Sequence, residues 1–375
     1  MQLDASLPWL ALTLTPGLAS RLCARLLKEF GSPESVFRAS RVALESCHIP
    51  GKTVEDILKK KAFPRAEKEL AGIKKIAACS LLNWTEPEYP QTLLQIYDPP
   101  VLLYLRGDPQ VLSLPSLSIV GTRKPTVYGT QMAQRLGREL AARGLVIVSG
   151  LARGIDAIAH QGAMDAHGRA IGVLGTGIDL CYPKENKKLY ERVLERGAII
   201  SEFPLRTHPA PENFPVRNRI VAGLPLGVVV VEGAQYSGSL ITARLAMEFG
   251  REVFGVPGNA TQPVSFAPNQ LIKQGAKLVV GAEDVIEELP TPVRAALVQA
   301  EQPEAEQRNL LAAASLNGSA KKLYELLSAD DPLHIDDMVE RSGLNSSEVL
   351  ATLFNLEMQG IVRQMPGKQF CKALL

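Results

Sequence analysis

Four short loops carry the residue types best suited to binding chemistry in this sequence of 375 residues. Glycine lets a backbone approach a ligand closely, serine and threonine add hydroxyl donors, and the N–H groups at a helix start favour anions. The loops cover residues 120–125, 149–156, 175–179 and 232–240. Glycine also makes the tight turn after a buried strand, so one loop alone indicates little. Together the four predict a crevice that holds the oxygens of an anion.

A fifth segment, residues 213–220, adds groups that suit a nucleic-acid ligand. Two arginines flank an asparagine there and an aromatic residue lies just upstream, which allows phosphate pairing beside base stacking. The alternative is that the phenylalanine fills the core and the arginines pair with Glu202 and Glu212. The candidate DNA-binding residues of all these segments are Gly121, Thr122, Arg123, Lys124, Ser149, Gly150, Arg153, Phe214, Arg217, Asn218, Arg219, Gly238 and Ser239.

Catalytic patterns are scarce in the sequence. The five histidines are scattered, and neither a Ser-His-Asp nor a paired-carboxylate spacing occurs. Asp156 and His160 are four residues apart and would share a helix face, where Asp156 suits a cap or an ion pair. A rival hypothesis is a nucleotide-processing enzyme of the phosphoribohydrolase kind, whose attacking carboxylate would be Glu232. We expect no catalytic residue.

The loops also disfavour cofactors. No G-x-G-x-x-G follows the first strand of the predicted sheet, and no Walker lysine motif occurs. The second strand ends in Ser149-Gly150, where a ribose-binding acid would be needed. Five cysteines, odd in number and far apart, match neither a disulfide framework nor a zinc site. We therefore expect no cofactor, no metal and a reducing cytoplasm.

Charge and hydrophobicity limit the class of protein. The chain has 41 basic and 39 acidic residues, a net charge of +2, so any polyanion site must be local. Its 46% hydrophobic content over this length fits two or three packed domains. No apolar run is long enough for a membrane span, and the first residues lack a signal-peptide pattern. These features predict a cytoplasmic protein without membrane contact.

The middle of the chain, residues 80–289, alternates short apolar runs with longer helical stretches. The runs are apolar on both faces, which is typical of a parallel sheet covered by helices on each side. We predict an α/β, Rossmann-like, doubly wound and mostly parallel sheet. The expected strands are Leu117–Val120, Leu145–Val148, Ala170–Leu174, Ala198–Ile200, Gly227–Val231, Glu252–Val256 and Lys277–Val279.

Three further segments flank this sheet. Residues 1–75 have helical spacing and two Pro-Gly turns, which predicts a helix-hairpin-helix or SAM-like domain; the turns either contact DNA or only redirect the chain. Residues 290–318 are rich in Pro, Ala, Glu and Gln and predict a flexible tether. Residues 319–375 predict three helices and a β-hairpin, a winged helix.

The predicted winged helix has a charge that opposes DNA reading. Residues 319–375 contain 6 basic and 8 acidic residues, and the expected recognition helix, residues 346–359, contains no basic residue. This composition predicts a role in protein contact or regulation. A weaker alternative is a sequence-specific transcription factor that uses this module.

The order and spacing of several segments in the middle region resemble one bacterial family, the DNA-processing protein A family, also called DprA or Smf. The family's Gly-Ser-Arg is Gly-Thr-Arg here, a change that keeps a hydroxyl. The segments are Val120–Arg123, Ser149–Asp156 with Ala159 and His160, Phe214–Ile220, Ser237–Ala243, Gly250–Val253 and Pro257–Gly258.

The resemblance implies a binding protein without catalysis. Members of the family take up single-stranded DNA during natural transformation, protect it, and help load RecA recombinase past single-strand-binding protein, acting as homodimers. Carried onto this sequence, Arg123 and residues 214–219 would hold phosphates and stack a base. Gly150, Gly238 and Ser239 would line the same groove.

Overall fold

The computed structural model describes residues 3–297, 318–328, 331–359 and 361–372. The N-terminal region is helical, as its spacing predicts. The second helix buries Cys23, Leu26 and Leu27 on one face and ends at Gly31, whose φ of +80° is accessible to glycine. The helices are α1 Leu7–Thr13, α2 Ser20–Phe30, α3 Pro33–Val36, α4 Arg41–Glu45, α5 Gly51–Leu58 and α6 Phe63–Ile73.

The middle region forms a nine-stranded sheet with helices on both faces. The strands are β1 Cys79–Asn83, β2 Leu102–Gly107, β3 Ser116–Val120, β4 Val146–Ser149, β5 Ala170–Leu174, β6 Ala198–Ser201, β7 Gly227–Val230, β8 Glu252–Gly255 and β9 Lys277–Leu278. The helices are α7 Gln91–Leu94, α8 Val127–Ala142, α9 Ile155–Asp165, α10 Lys187–Arg196, α11 Asn213–Gly223, α12 Gly238–Glu248, α13 Phe266–Lys273, α14 Ala282–Ile286 and α15 Thr291–Leu297.

The strand order is β1-β2-β6-β5-β4-β3-β7-β8-β9. The seven strands from β6 to β9 are parallel, as predicted, with Ile147 of β4 opposite Leu117 of β3 and Ala170 of β5. Two antiparallel strands, β1 and β2, extend one edge and were not predicted. The α/β, doubly wound and mostly parallel architecture is confirmed.

Both faces of this sheet are buried. Leu117 and Ile147 belong to a core that continues into the helical N-terminal region. Val146 and Val148 belong to the core on the opposite face. Every position of β3, β4 and β5 is buried. Since successive side chains of a strand point to opposite faces, this burial extends over both faces of the sheet.

The connections diverge beside β3. The chain leaves β3 through α8 towards β4, whereas it leaves the neighbouring β7 through α12 towards β8. The loops after β3 and β7 therefore separate and open a crevice at the carboxyl ends of these two strands. This topological switch point is where open α/β sheets bind ligands.

Arg219 joins the sheet to the helical region and does not face the crevice. Both of its terminal nitrogens donate to the carboxylate of Glu202, at 2.9 and 2.5 Å, and its Nε donates to the carbonyl oxygen of Asp98 at 2.9 Å. Its Nη2 also donates to Ser20 Oγ of α2 at 3.2 Å. Because all three guanidinium nitrogens of Arg219 already bond to protein groups, the prediction of Arg219 as a ligand-binding residue is corrected. The contacts match the alternative of a pair with Glu202.

The C-terminal region is a winged helix, as predicted. Its third strand, β10, was not anticipated because it has only two residues. The elements are α16 Gly318–Leu326, β10 Leu333–His334, α17 Ile335–Ser342, α18 Ser346–Met358, β11 Val362–Met365 and β12 Gln369–Lys372, with sheet order β10-β12-β11. None of the helices in the described part of the chain is long and apolar enough to cross a membrane.

Two polar contacts place the wing of this domain against α8. Gln131 Nε2 donates to Cys371 Sγ at 3.0 Å, and Arg363 Nη2 donates to Gln134 Oε1 at 2.6 Å. Within the predicted tether, residues 291–297 form α15, whereas 298–317 lie outside the described residues.

Candidate functional site

A groove of about 440 Å³ lies at the switch point, between the loops after β3 and β7. Helix α11 supplies one of its walls, and the loop after β4 closes its end. The lining residues are Val120, Gly121, Thr122, Arg123, Lys124, Ala152, Asp156, Phe214, Arg217, Asn218, Val221, Ser237, Gly238, Ser239 and Thr242. A smaller cavity shares four of these residues and adds Gly150, Arg153, Leu174, Gly175, Thr176, Tyr182 and Pro183.

Three helices begin at the loops that border this groove. Thr126 Oγ1 accepts a hydrogen bond from Gly129 N at 3.1 Å and caps α8. Ser237 Oγ accepts from Leu240 N at 3.3 Å and caps α12. The helix N-termini contribute partial positive charge to the groove, which favours a negatively charged ligand.

The loop before α9 packs closely on the loop after β3. Ile155 N donates to Thr122 O at 3.2 Å. Gly154 adopts a φ of +77°, and an added Cβ would lie 2.3 Å from Thr122 O. Glycine is therefore required at this position, and the two loops are held in contact.

Arg217 lies deep within the site. Its side chain is buried, with 5% of the residue exposed, although it lines both cavities. An added Cβ at Gly150 would lie 1.5 Å from Arg217 Nη1, so the guanidinium occupies the space that this glycine leaves open. Among the described residues, Arg217 Nε has no hydrogen-bond partner and no carboxylate lies within ion-pair distance.

Burial and the charge of Asp156 shift the pKa of Arg217 in opposite directions. Burial lowers the pKa of the Arg217 guanidinium, the Asp156 carboxylate opposes this change, and Arg123 adds to it. Burial also raises the pKa of Asp156, while Arg217 and the N–H of Gly150, 3.1 Å from Asp156 Oδ2, lower it. Asp156 thus holds the loop after β4 through the Gly150 N–H, a contact that is neither a helix cap nor an ion pair, the two roles predicted for it. An anion in the groove would supply the negative countercharge that the Arg217 guanidinium lacks.

Phe214 is half-buried at the edge of the groove. The Arg123 guanidinium carbon lies 5.4 Å from its ring centroid, a cation–π contact. The ring of Tyr182 lies 6.0 Å away, tilted by 32°. Sequence reasoning missed Tyr182, whose only signal was its place after the third loop. The exposed parts of these rings offer a stacking surface in the cavity that Arg123, Arg153 and Arg217 also line.

Most candidate residues from the sequence converge on this site. Gly150 and Arg153 line the smaller cavity, and Arg153 also pairs with Glu185 at the surface. Ser149 lines neither cavity, because it is buried and its hydroxyl donates to Ile119 O at 2.7 Å. The groove itself brings together Gly121, Thr122, Arg123, Lys124, Phe214, Arg217, Asn218, Gly238 and Ser239.

Glu232 does not line the groove. Its carboxylate accepts hydrogen bonds from Thr126 N at 2.9 Å and from Thr126 Oγ1 at 2.5 Å, and it therefore holds the residue that caps α8. It borders a separate cavity with Tyr128 and Asn259. The described residues contain no cluster of His, Cys, Asp and Glu that could hold a metal ion.

Two family models match the chain. The one described as DNA recombination-mediator protein A covers residues 80–290, and the one described as DprA winged helix domain covers residues 305–368. The DNA processing protein DprA of Bacillus subtilis (strain 168) is 44% identical over 229 residues, which are 61% of this chain and 77% of that protein.

Two solved structures are similar to this one. The X-ray structure of DNA processing protein A from Streptococcus pneumoniae has a TM-score of 0.67 and 32% identity, covering 77% of this chain and 98% of that chain. The structure of DNA processing protein A from Helicobacter pylori is described as giving insights into its single-stranded DNA binding mode. It has a TM-score of 0.51 and 31% identity, covering 60% of this chain and 97% of that chain.

His160 of α9 is fully buried, and neither ring nitrogen has a hydrogen-bond partner among the described residues. Burial lowers the pKa of His160 from 6.5 to about 4, and the nearby backbone of Ile171 and Ile147 offsets part of this change. The folded state therefore binds this proton less readily than the unfolded chain. Its contribution to stability is complete above pH 6.5 and is lost as the pH falls towards 4.

We expect the free energy of unfolding to fall between these pH values more steeply in the wild type than in a His160→Gln variant. The difference between the unfolding free energies of the two proteins should change by about 1.4 kcal/mol per pH unit. Urea unfolding followed by circular dichroism at a series of pH values measures it. A difference that stays constant over this range would contradict the buried, neutral state of His160.

Proposed function

The chain belongs to the DNA-processing protein A family, and from this premise we propose that it binds single-stranded DNA in the groove between β3 and β7, without catalysing a reaction. The observation that carries this proposal is Arg217, a buried guanidinium in the groove with no ion-pair partner among the described residues. Arg123 and Lys124 are exposed on the adjacent loop. A phosphate in the groove would receive charged hydrogen bonds from these side chains and N–H groups from the loops.

Single strands suit this groove better than duplexes. Phe214 and Tyr182 lie beside the basic residues, and rings of this kind bind bases by stacking. A base stacks on a protein ring only when its own neighbours release it, which a single strand permits at low cost. Backbone pairing together with stacking also makes binding largely independent of base sequence.

The biological role that we propose is protection of incoming single-stranded DNA in natural transformation and loading of RecA recombinase past single-strand-binding protein, in the cytoplasm. The matched family's description as a recombination mediator supports it.

We also propose a homodimer. Leu278 in the edge strand β9 is 43% exposed and Val280 just beyond it is 55% exposed, and an apolar sheet edge of this kind favours pairing with another chain.

The proposed function is tested by the affinity for a single strand and for a duplex of equal length across a salt series. Affinity for the single strand should fall steeply with salt, because each phosphate contact releases counterions, and the duplex should bind more weakly at every concentration. Fluorescence anisotropy with labelled oligomers measures both. Equal affinity for the two forms at moderate salt would contradict the proposal.

Arg123→Ala is the matched variant for this titration. It should lower single-strand affinity by about 1.5–3 kcal/mol and make the log–log salt slope shallower by about 0.7, as expected for one lost phosphate contact. Arg192→Ala is the control, since Arg192 pairs with Asp165 at the surface and lines neither cavity. Loss of affinity in both variants would indicate a diffuse charge effect and not a groove.

We propose a different role for the winged helix, contact with a protein. Its recognition helix α18 exposes Leu350, Phe354 and Met358, by 54%, 62% and 74%, and carries no basic residue. Arg363 of the wing donates to Gln134 of α8, so this contact uses part of its capacity to bind phosphate. Phosphate repulsion from the acidic side chains of this domain would outweigh the remaining basic residues of the wing.

A chain that ends at Leu289 should therefore retain most of the single-strand affinity of the full chain. Fluorescence anisotropy compares the two proteins, after circular dichroism has shown that the shorter chain is folded. A loss beyond about tenfold, or about 1.4 kcal/mol, would make the winged helix a DNA-binding element.

A further inference from the structure

Tyr236 is an aromatic side chain that the fold does not use. It is 91% exposed, more than any other large hydrophobic residue in the described part of the chain. It has no hydrogen bond or ring contact among the described residues. Leaving a tyrosine ring in water forgoes the free energy that its burial would give. A ligand that covers the ring would recover this free energy.

The backbone on both sides of Tyr236 is fixed. Gly233 N donates to Val264 O at 2.6 Å, and Gly233 O accepts from Ala267 N at 2.8 Å, which anchors the start of the loop. Ser237 N donates to Ala234 O at 3.0 Å and closes a turn around Tyr236. A side chain presented on a fixed turn loses less conformational entropy when a ligand binds it.

Tyr236 is next in the chain to residues that line the groove. It directly precedes Ser237, Gly238 and Ser239, which line the wall after β7. Phe214 belongs to the other wall, on α11. A strand that contacts Ser237 would therefore pass within one residue of Tyr236 along the chain.

We propose that Tyr236 is a second base-stacking position, beside the groove, for single-stranded DNA. This inference rests on the proposed function. The ring would take any base, since every base has a stacking face, and its hydroxyl is not required. Phe214 and Tyr236 would then stack bases at opposite walls, with the phosphate contacts between them.

The test compares Tyr236→Ala, Tyr236→Phe and the control Tyr97→Ala. Tyr97 is also exposed, by 65%, but it lies between α7 and β2, where the Arg21 guanidinium carbon is 4.2 Å from its ring centroid, and it adjoins no residue that lines the groove. Each full-length protein is titrated with an oligothymidylate and with an oligomer of the same length that has abasic sites in place of its bases. Fluorescence anisotropy gives the affinities, and a salt series gives the slopes.

We expect Tyr236→Ala to bind oligothymidylate between about fivefold and about 150-fold more weakly, with an unchanged salt slope because no phosphate contact is lost. Tyr236→Phe and Tyr97→Ala should bind as the wild type does. On the abasic oligomer, Tyr236→Ala and the wild type should have equal affinity.

Two results would overturn the inference. If Tyr236→Ala binds oligothymidylate as tightly as the wild type while Arg123→Ala does not, the groove is retained as the binding site and the stacking role of Tyr236 is wrong. An equal loss for Tyr236→Ala on the abasic oligomer would show that the ring does not act through bases. Failure of the wild type itself to bind the single strand would instead remove the proposed function, and this inference with it.

Discussion

A guanidinium buried without an ion-pair partner is the constraint around which the groove is organised. Burying a charge is costly unless another charge or several hydrogen bonds compensate it. Arg217 is 5% exposed, and the described residues leave its Nε unpartnered. Gly150 provides the space for this side chain, and Asp156 provides distant compensation. Such an arrangement retains free energy that an entering phosphate would release.

The sheet topology places the other groups around this charge. Because β3 and β7 are neighbours whose connections run in opposite directions, their following loops part at one edge. Glu232, in the loop after β7, binds Thr126, the residue that caps α8, and so couples these two loops. The helix starts and the exposed Arg123 then face the same space. A chain with a net charge of only +2 thereby concentrates positive charge locally.

The sequence predicted most of this framework, since apolar runs of fixed length and glycine-rich loops report directly on a doubly wound sheet. It did not separate Arg217 from Arg219. Residues 213–223 form a helix, on which positions two apart face about 200° away from each other, so only one arginine faces the groove. Phe214 and Arg217, three apart, share a face. Tyr182 and the strand β1 lacked any periodic signal, because tertiary contacts alone position them.

The two arginines of α11 allow the most direct test of these separate roles. The measurement is the ratio of the single-strand dissociation constants of Arg217→Gln and Arg219→Gln, each taken at a temperature where the protein is folded. We expect Arg217→Gln to bind about tenfold or more weakly than the wild type, the loss of a charged hydrogen bond, and Arg219→Gln to keep its affinity while its thermal midpoint falls. Wild-type affinity in Arg217→Gln, or an equal loss in both variants, would contradict a phosphate site built on Arg217.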